Sequence, residues 1–340
     1  MVAKQINLNI LVTGGAGYIG SHAVLALIEA GYQVTVLDNL SKGFADAVLP
    51  PARLIQGDLS DQGLLDDIFQ QEKFQAVMHF AASSVVPESV QYPLTYYSNN
   101  VTNTINLLKV VKKYKVPNFI FSSSASVYGI PDVVPVTETM PLSPISPYGR
   151  TKLISEWMIQ DLAKAEPWFR YGILRYFNVA GSDPEGRLGQ NTPNATHLIK
   201  LACQTALGHR SKLQIFGDDY PTTDGTGVRD FIHVTDLANA HLIVLKHLAE
   251  GTESNIYNCG YGKGYSVREV VNTVKEISKV DFPVEVTHRR TGDSPEVVAD
   301  VTKILQHTEW HPKFDSLQVI VEHAFQWEKS RLSNMIDNQR

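Results

Sequence analysis

The chain has 340 residues, of which 43% are hydrophobic, 9% aromatic and 19% charged, a balance that excludes a disordered protein and can bury a substantial core. Its net charge is -5 at pH 7 and no lysine- or arginine-rich block occurs, which excludes a nucleic-acid or anionic-membrane surface and leaves any anionic ligand to local groups. The two cysteines, Cys203 and Cys259, and the eleven scattered histidines show no metal-ligand spacing, so no metal site is expected and the cysteines read as buried free thiols of a reducing compartment.

The N-terminus lacks a signal-peptide cleavage pattern and runs into a first strand. No stretch approaches about 18 apolar residues, so no membrane span is expected and a soluble, cytoplasmic protein follows. Strands at 6–13, 33–38, 52–57, 76–80, 118–122 and 169–175 alternate with helices near 18–30, 63–71, 92–114 and 147–165. This rhythm predicts an α/β fold with a Rossmann-type doubly wound parallel sheet, helices on both faces and a ligand beyond the carboxyl ends of the strands. After Arg175 glycine, proline and polar turns become frequent, above all across 217–227. Helices at about 195–207, 234–248, 266–279 and 317–331, with strands around 213–216, 255–258 and 284–288, predict a smaller mixed α/β substrate-binding domain, and 334–340 reads as a frayed tail. The expected division is 1–177 for a dinucleotide-binding domain, with 233–253 returning to it, and 178–232 with 254–340 for the second domain.

The first strand ends in Gly14-Gly15-Ala16-Gly17-Tyr18-Ile19-Gly20 and a helical run follows. Gly14 permits a tight turn, Gly17 lets the backbone approach a pyrophosphate, and Gly20 lets the helix press on the sheet. Asp38 closes the second strand, where a carboxylate accepts the ribose hydroxyls of NAD and repels the extra phosphate of NADP. Asp58, in Gly57-Asp58-Leu59, can accept an adenine amine, and Phe80-Ala81-Ala82 leaves small residues where the backbone must pass a cofactor. Tyr148 and Lys152 are spaced for one helical face. A phenol that titrates at about pH 10 needs a nearby cation to act as a base at neutral pH, so this pair, with Ser124, points to proton abstraction.

The Gly14-Gly17-Gly20 spacing, the run Ser122-Ser123-Ser124-Ala125-Ser126-Val127-Tyr128-Gly129, and Tyr148 with Lys152 resemble the extended short-chain dehydrogenase/reductase family, and within it the UDP-glucose 4-epimerase group. The likeness covers nearly the whole chain. It extends through Asp38-Asn39-Leu40, His79-Phe80-Ala81-Ala82, Asn99-Asn100-Val101, Arg175-Tyr176-Phe177-Asn178, the segment from Gly225 to Val234, and Arg289-Arg290-Thr291-Gly292-Asp293. The resemblance implies a tightly bound NAD held by Gly14, Gly17, Tyr18, Ile19, Gly20, Asp38, Asn39, Asp58, Leu59, Phe80, Ala81, Ala82, Asn99, Ser122, Tyr148, Lys152 and Tyr176. It also implies catalysis by Ser124, Tyr148 and Lys152: Ser124 donates a hydrogen bond near the sugar 4-oxygen, Tyr148 removes the 4-hydroxyl proton, and Lys152 holds the nicotinamide ribose and lowers the phenol pKa. A UDP-sugar then lies against Ser124, Tyr148, Asn178, Leu198, Phe216, Arg229, Arg290, Asp293 and Val297, and is inverted at C4 through a transient 4-keto sugar.

Several positions depart from the resembling group. Asn103 replaces a usual Gly, which implies a helix packed slightly farther from its neighbour; Gln190 stands for Glu, Lys200 for Pro, and Ser84 for a Lys of some members. Val297 replaces a bulky Tyr and leaves space for an N-acetyl group, so UDP-N-acetylglucosamine and UDP-N-acetylgalactosamine are expected substrates as well. UDP-glucuronate and UDP-pentose 4-epimerases would use the same residues and stay open. A 4,6-dehydratase would need an Asp-Glu pair where Ala125 and Ser126 stand. An NAD-binding regulatory protein explains the glycine loop but not the Ser-Tyr-Lys set with phosphate-suited arginines. The apolar stretch 101–111, preceded by Tyr96 and Tyr97, is expected at a homodimer contact.

Overall fold

The computed structural model describes residues 8–192, 195–290 and 292–337; the first residues of the expected first strand, Thr291 and the last three residues lie outside them. In chain order the elements are β1 (Asn9–Thr13), α1 (Tyr18–Glu29), β2 (Gln33–Asp38), β3 (Arg53–Gln56), α2 (Gln62–Gln71), β4 (Ala76–His79), α3 (Val86–Gln91), α4 (Pro93–Tyr96), α5 (Asn103–Lys113), β5 (Asn118–Ser122), α6 (Pro147–Ala165) and β6 (Arg170–Tyr176). Then come β7 (Asn178–Ala180), α7 (Leu198–Ala206), β8 (Leu213–Phe216), β9 (Val228–His233), α8 (Val234–Ala249), β10 (Asn255–Cys259), β11 (Gly264–Ser266), α9 (Val267–Ser278), β12 (Val284–Thr287), β13 (Glu296–Val297), α10 (Thr302–His307) and α11 (Leu317–Asp337).

Seven parallel strands form one sheet in the order β10-β6-β5-β4-β1-β2-β3. Alternate residues feed opposite cores, as the two-residue period of a strand requires. Ile10, Val12 and Val36 join Val24 and Leu27 of α1 and Leu237 and Leu245 of α8. Leu11, Leu37, Phe119 and Phe121 join helices α2, α5 and α6 through Ile68, Leu107 and Ile159. The strand order reverses between β1 and β4, which opens a crevice at their carboxyl ends. A third core unites α7, α9 and α11 under β8, beside small sheets in which β9 pairs with β7, β11 and β13, and β8 pairs with β12.

Four expectations change. The strand expected with the smaller unit at 255–258 is β10, paired in parallel with β6 at the edge of the large sheet. The turn-rich segment hid β7 and β9, two short strands whose alternation is too brief to register in sequence. The helix expected over 92–114 widens into a π-type turn at Tyr97–Thr102. Its cause is Asn100, whose buried carboxamide accepts from Ser83 N at 2.8 Å and donates to Ser83 O and Thr151 Oγ1, both at 3.0 Å. Such turns recur at functional sites, and this one docks the helix onto α6. Finally, α11 continues to Asp337, through most of the expected tail.

Within stretch 101–111, Leu107, Leu108, Val110 and Val111 are buried in the second core, Val101 and Ile105 are half-buried, and Thr102 and Lys109 are exposed. Further exposed apolar side chains lie at Val90, Tyr92 and Leu94 of the α3–α4 region and at Trp157 of α6.

Candidate active site

The crevice is lined first by the glycine loop. Gly14 has φ +72, and a Cβ there would lie 2.5 Å from Ala81 N; one on Gly20 would lie 2.2 Å from Gly14 O. Both positions are closed to any side chain. A Cβ on Gly17 would meet only Gly14 O, at 3.3 Å, so its outer side is open. Gly17 caps α1 with no side-chain hydrogen bond and no acidic residue follows in the first turn, which leaves helix N–H groups facing outward for an anion. Asp38, at the end of β2, accepts from Ala16 N at 3.0 Å and Leu40 N at 2.8 Å. Each carboxylate oxygen keeps a lone pair for a ribose hydroxyl.

Asp58 accepts from Asn39 Nδ2 at 2.6 Å, Ser60 N at 2.8 Å and Asn103 Nδ2 at 3.5 Å. Burial raises its pKa, but these hydrogen bonds outweigh it and hold the carboxyl below its ordinary value. Asn103 therefore does not merely space the helix: its carboxamide reaches Asp58, and Asn99 at 3.4 Å. The Leu59 side chain is buried in the second core and its carbonyl accepts from Asn106, so its backbone N–H is what can meet a ligand. Ile19 packs into the first core beside Phe80. Asn99 donates to Ser83 Oγ at 3.1 Å, and Ser122 Oγ donates to the Tyr176 hydroxyl at 2.9 Å. Tyr18 donates to Gly181 O at 2.7 Å, tying the glycine loop to the segment after β7. These groups fit a dinucleotide: a cradle for a diphosphate, an acceptor for ribose hydroxyls, and an aromatic far end at Tyr176.

At that far end α6 begins. Ser146 caps it by accepting from Gly149 N at 3.1 Å, with Pro147 next. A Cβ on Gly149 would lie 2.6 Å from Ser126 O, so the glycine lets the helix close on the Ser124 loop. Tyr148 and Lys152 are both buried. Lys152 Nζ donates to Ser122 O at 2.7 Å and stands 6.0 Å from the centre of the Tyr148 ring. Burial pulls the ammonium down to about 7, with Glu156 opposing. Burial also pushes the Tyr148 phenol well above its ordinary value; Tyr176 adds to this and a hydrogen bond with Ser124 opposes it. Lys152 is not among the groups that shift the phenol: its ammonium is directed at the Ser122 carbonyl, and desolvation acts on both side chains.

The other wall comes from the small sheets. Val297 pairs in register with Arg229, and Asn178 with Phe231, so three expected contacts sit on adjacent strands. Arg229 Nη1 donates to Val228 O at 2.8 Å and Nη2 lies 3.8 Å from Asp293. Asp230 beside it is fully buried and accepts from the backbone of Tyr261, Gly262 and Ala299, fixing β9 in place. Arg290 lies 3.8 Å over the Phe216 ring. Leu198 opens α7, half-buried. Val297 packs on an apolar cluster shared by Ala125, Leu153 and Phe177, which brings it alongside the Ser124 loop.

A family model, the NAD dependent epimerase/dehydratase family, matches residues 10–260. The chain belongs to this family. Among its relatives is a UDP-glucose 4-epimerase of Azospirillum brasilense, 51% identical over 321 residues that cover 94% of this chain and 92% of that protein. The crystal structure of UDP-glucose 4-epimerase from Brucella ovis in complex with NAD superposes with a TM-score of 0.91 at 43% identity, covering 94% of this chain and 98% of that one. The UDP-Glc/GlcNAc 4-epimerase from Campylobacter jejuni gives 0.85 at 49% identity, covering 95% and 100%. The crevice of this epimerase/dehydratase is therefore a site for NAD.

Three groups of this family member escaped the sequence. Glu156 follows Lys152 by one turn, is fully buried, and accepts from Arg175 Nη2 at 2.6 Å, Arg175 Nε at 3.0 Å and Ser123 Oγ at 2.5 Å. The signal was present: a Glu in the Tyr148–Lys152 stripe and an Arg ending an apolar strand had to meet. His79 bridges Thr13 and Thr104 at 2.7 and 2.9 Å, kept neutral by burial that lowers it to about 3. Tyr220 lies under Arg289, 4.2 Å from it, with a buried hydroxyl that has no partner among the described residues. No spacing marks it in the turn-rich segment.

Proposed function

We propose that this protein inverts C4 of UDP-hexoses, interconverting UDP-glucose and UDP-galactose through a 4-keto sugar. The observation that carries the reading is the pairing of a buried Ser124–Tyr148 face at the end of a dinucleotide cradle with an arginine-bearing wall opposite. NAD, held by the glycine loop and Lys152, would supply a reversible hydride acceptor for C4, so the reaction has no net redox change. Tyr148 takes the 4-hydroxyl proton and gives it back, with the Ser124 hydroxyl donating to the 4-oxygen. Lys152, anchored on Ser122 O, holds the nicotinamide ribose. A bound oxidised nicotinamide would add the positive charge that lowers the Tyr148 phenol.

Gly14, Gly17, Tyr18, Ile19 and Gly20 hold the diphosphate end of NAD, Asp38 and Asn39 the ribose, Asp58 and Leu59 the adenine, and Phe80, Ala81, Ala82, Asn99, Ser122 and Tyr176 the remainder. Arg229 and Arg290 bind phosphate oxygens of the UDP-sugar, Asp293 its ribose and Phe216 its uracil, while Asn178 reaches the diphosphate or sugar region and Leu198 donates its backbone N–H. The nucleotide stays gripped while the sugar turns. The test is incubation with each UDP-hexose without added cofactor and resolution of the epimers. Conversion supports the reading; its absence in protein saturated with NAD, with no transient at ~340 nm, favours a regulatory NAD-binding protein. Conversion of UDP-glucuronate or a UDP-pentose in preference marks those epimerases instead.

Val297 packs on the cluster that holds Ala125 and is smaller than the Tyr of the resembling group, so UDP-N-acetylhexosamines belong in the substrate range. Val297→Tyr is expected to lower kcat/KM for UDP-N-acetylglucosamine by roughly 10–200-fold while sparing UDP-glucose; an unchanged ratio contradicts this. A homodimer is proposed through Val90, Tyr92, Leu94 and Trp157, to be read by light scattering with Trp157→Glu as the disrupting variant. Two buried free cysteines suit a reducing cytoplasm.

A further inference from the structure

Lys200 and Glu328 form a buried ion pair between the first turn of α7 and the C-terminal helix. Lys200 Nζ also donates to Gln190 O at 2.6 Å, and the second Glu328 oxygen accepts from Gln204 Nε2 at 3.1 Å. Gln190 is held a second time, its side chain 2.8 Å from His197 Nδ1. Alongside, α11 lays the Trp327 indole over Gly189, where a Cβ would lie 2.4 Å from the ring, and its His323 carbonyl accepts from Ser182 Oγ at 2.8 Å. One helix therefore grips both ends of the segment from Ser182 to Gln190 and the start of α7.

The cluster is not a ligand site. The cavity it borders holds about 10 Å³, the room of one water, and both charges already have partners. Nor is burial of two charges an economical way to stabilise a core, because apolar groups of similar volume do as well or better. What a charged pair bonded to a backbone carbonyl adds is direction. Leu198, two residues before Lys200, opens the same helical turn.

We propose that Lys200, Glu328 and the Gln190 carbonyl form a brace through which the C-terminal helix positions the first turn of α7, and with it the grip on the nucleotide part of the substrate. This rests on the reading of Leu198 as a contact to a UDP-sugar. Lys200 and Glu328 are positioning residues that touch neither cofactor nor reacting atoms.

The experiment uses full-length protein with its bound cofactor and measures kcat and KM for UDP-galactose and the inhibition constant of UDP, for Lys200→Met, for Glu328→Gln, and for the exchange of Lys200→Glu with Glu328→Lys. Each single change is expected to raise KM and the UDP constant together by roughly five- to twenty-fold, with kcat within about three-fold, and the exchange to recover most of the loss. A single variant with native circular dichroism, a lowered melting temperature and unmoved KM and UDP constant would overturn the brace, as would an exchange that recovers nothing. Should Lys200→Met not fold, Glu328→Gln, which keeps the shape of the side chain, decides; should neither fold, the Lys200→Met, Glu328→Met pair decides on the same readout. The unsubstituted protein separates the two readings. If it neither epimerises nor binds UDP, the functional reading fails; if it does both and the variants do not differ from it, the brace alone fails.

Discussion

The floor of the site and its rim are built on opposite plans. Beneath Tyr148 and Lys152 every charge is buried and answered: Glu156 meets Arg175 and Ser123, and Arg175 also donates to the Tyr128 hydroxyl at 3.0 Å, which in turn donates to Asn258 at 2.7 Å. At the rim, Arg289, Arg290 and Asp293 lie on exposed segments: the two arginines rest on the Tyr220 and Phe216 rings, Arg289 also pairs with Asp219, and Asp293 lies 3.8 Å from Arg229. A fully paired floor holds reacting groups still, whereas loosely paired arginines can exchange their partners for phosphate oxygens without leaving a buried charge stranded. We propose that rate belongs to the first region and affinity to the second.

The sharpest way to break that division is at Tyr148. Tyr148→Phe is expected to lower kcat by about 10²–10⁴-fold with NAD retained, by steady-state assay and cofactor absorbance; a variant of normal rate moves the chemistry elsewhere. Next, Glu156→Leu leaves Arg175 charged and unpaired in the core, and chemical denaturation should show a loss of about 3–5 kcal/mol. A loss no larger than that of a surface pair would mean water reaches the floor.

Lys152 gives a smaller and pH-dependent effect. Its folded pKa is about 7 against an ordinary 10.5, so between these values the unfolded chain holds a proton that the folded chain does not. Stability of NAD-free protein should therefore rise with pH across that window, by at most about 1.4 kcal/mol per pH unit, and Lys152→Met should flatten the rise. A slope identical in the two proteins would show that another group titrates there. The smallest effect is expected at the rim: Arg290→Ala should raise KM by roughly ten-fold with kcat and melting temperature little changed. A fall in kcat of the same size would erase the contrast between the regions.

Sequence exposed the floor far better than the rim. Fully buried parallel strands read as continuous apolar runs, so β2, β4 and β5 were legible within a residue and β1 to its end at Thr13, and Gly14 and Gly20 follow from close approaches that no other residue permits. What sequence missed depends on partners distant along the chain. Asn100 unwinds its helix to reach Ser83 and Thr151, β9 is only six residues long and is fixed by Asp230 bonding to two separate segments, at 261–262 and at 299, and β10 joins the large sheet from far along the chain. The rim residues came from likeness to a family, since arginines in loops carry no periodicity of their own. Spacing placed Tyr148 and Lys152 on one helical face, but the carbonyl that the ammonium meets, Ser122 O, lies thirty residues earlier and carries no signal in the sequence.

The path of the backbone through the two walls has a further consequence. After β6 the chain departs to build β7, α7, β8 and β9, comes back through α8 and β10, leaves again for β11, α9, β12 and β13, and returns once more as Ile304 of α10 and Trp310 enter the first core before α11 closes the third. The halves are stitched rather than strung, so neither can be cut out and expressed alone: a fragment ending at 177 would lack α8 and expose Val12, Val24 and Val36 to water. Change in such a protein has to proceed by editing loops in place, and shuffling its halves as independent modules is closed to it.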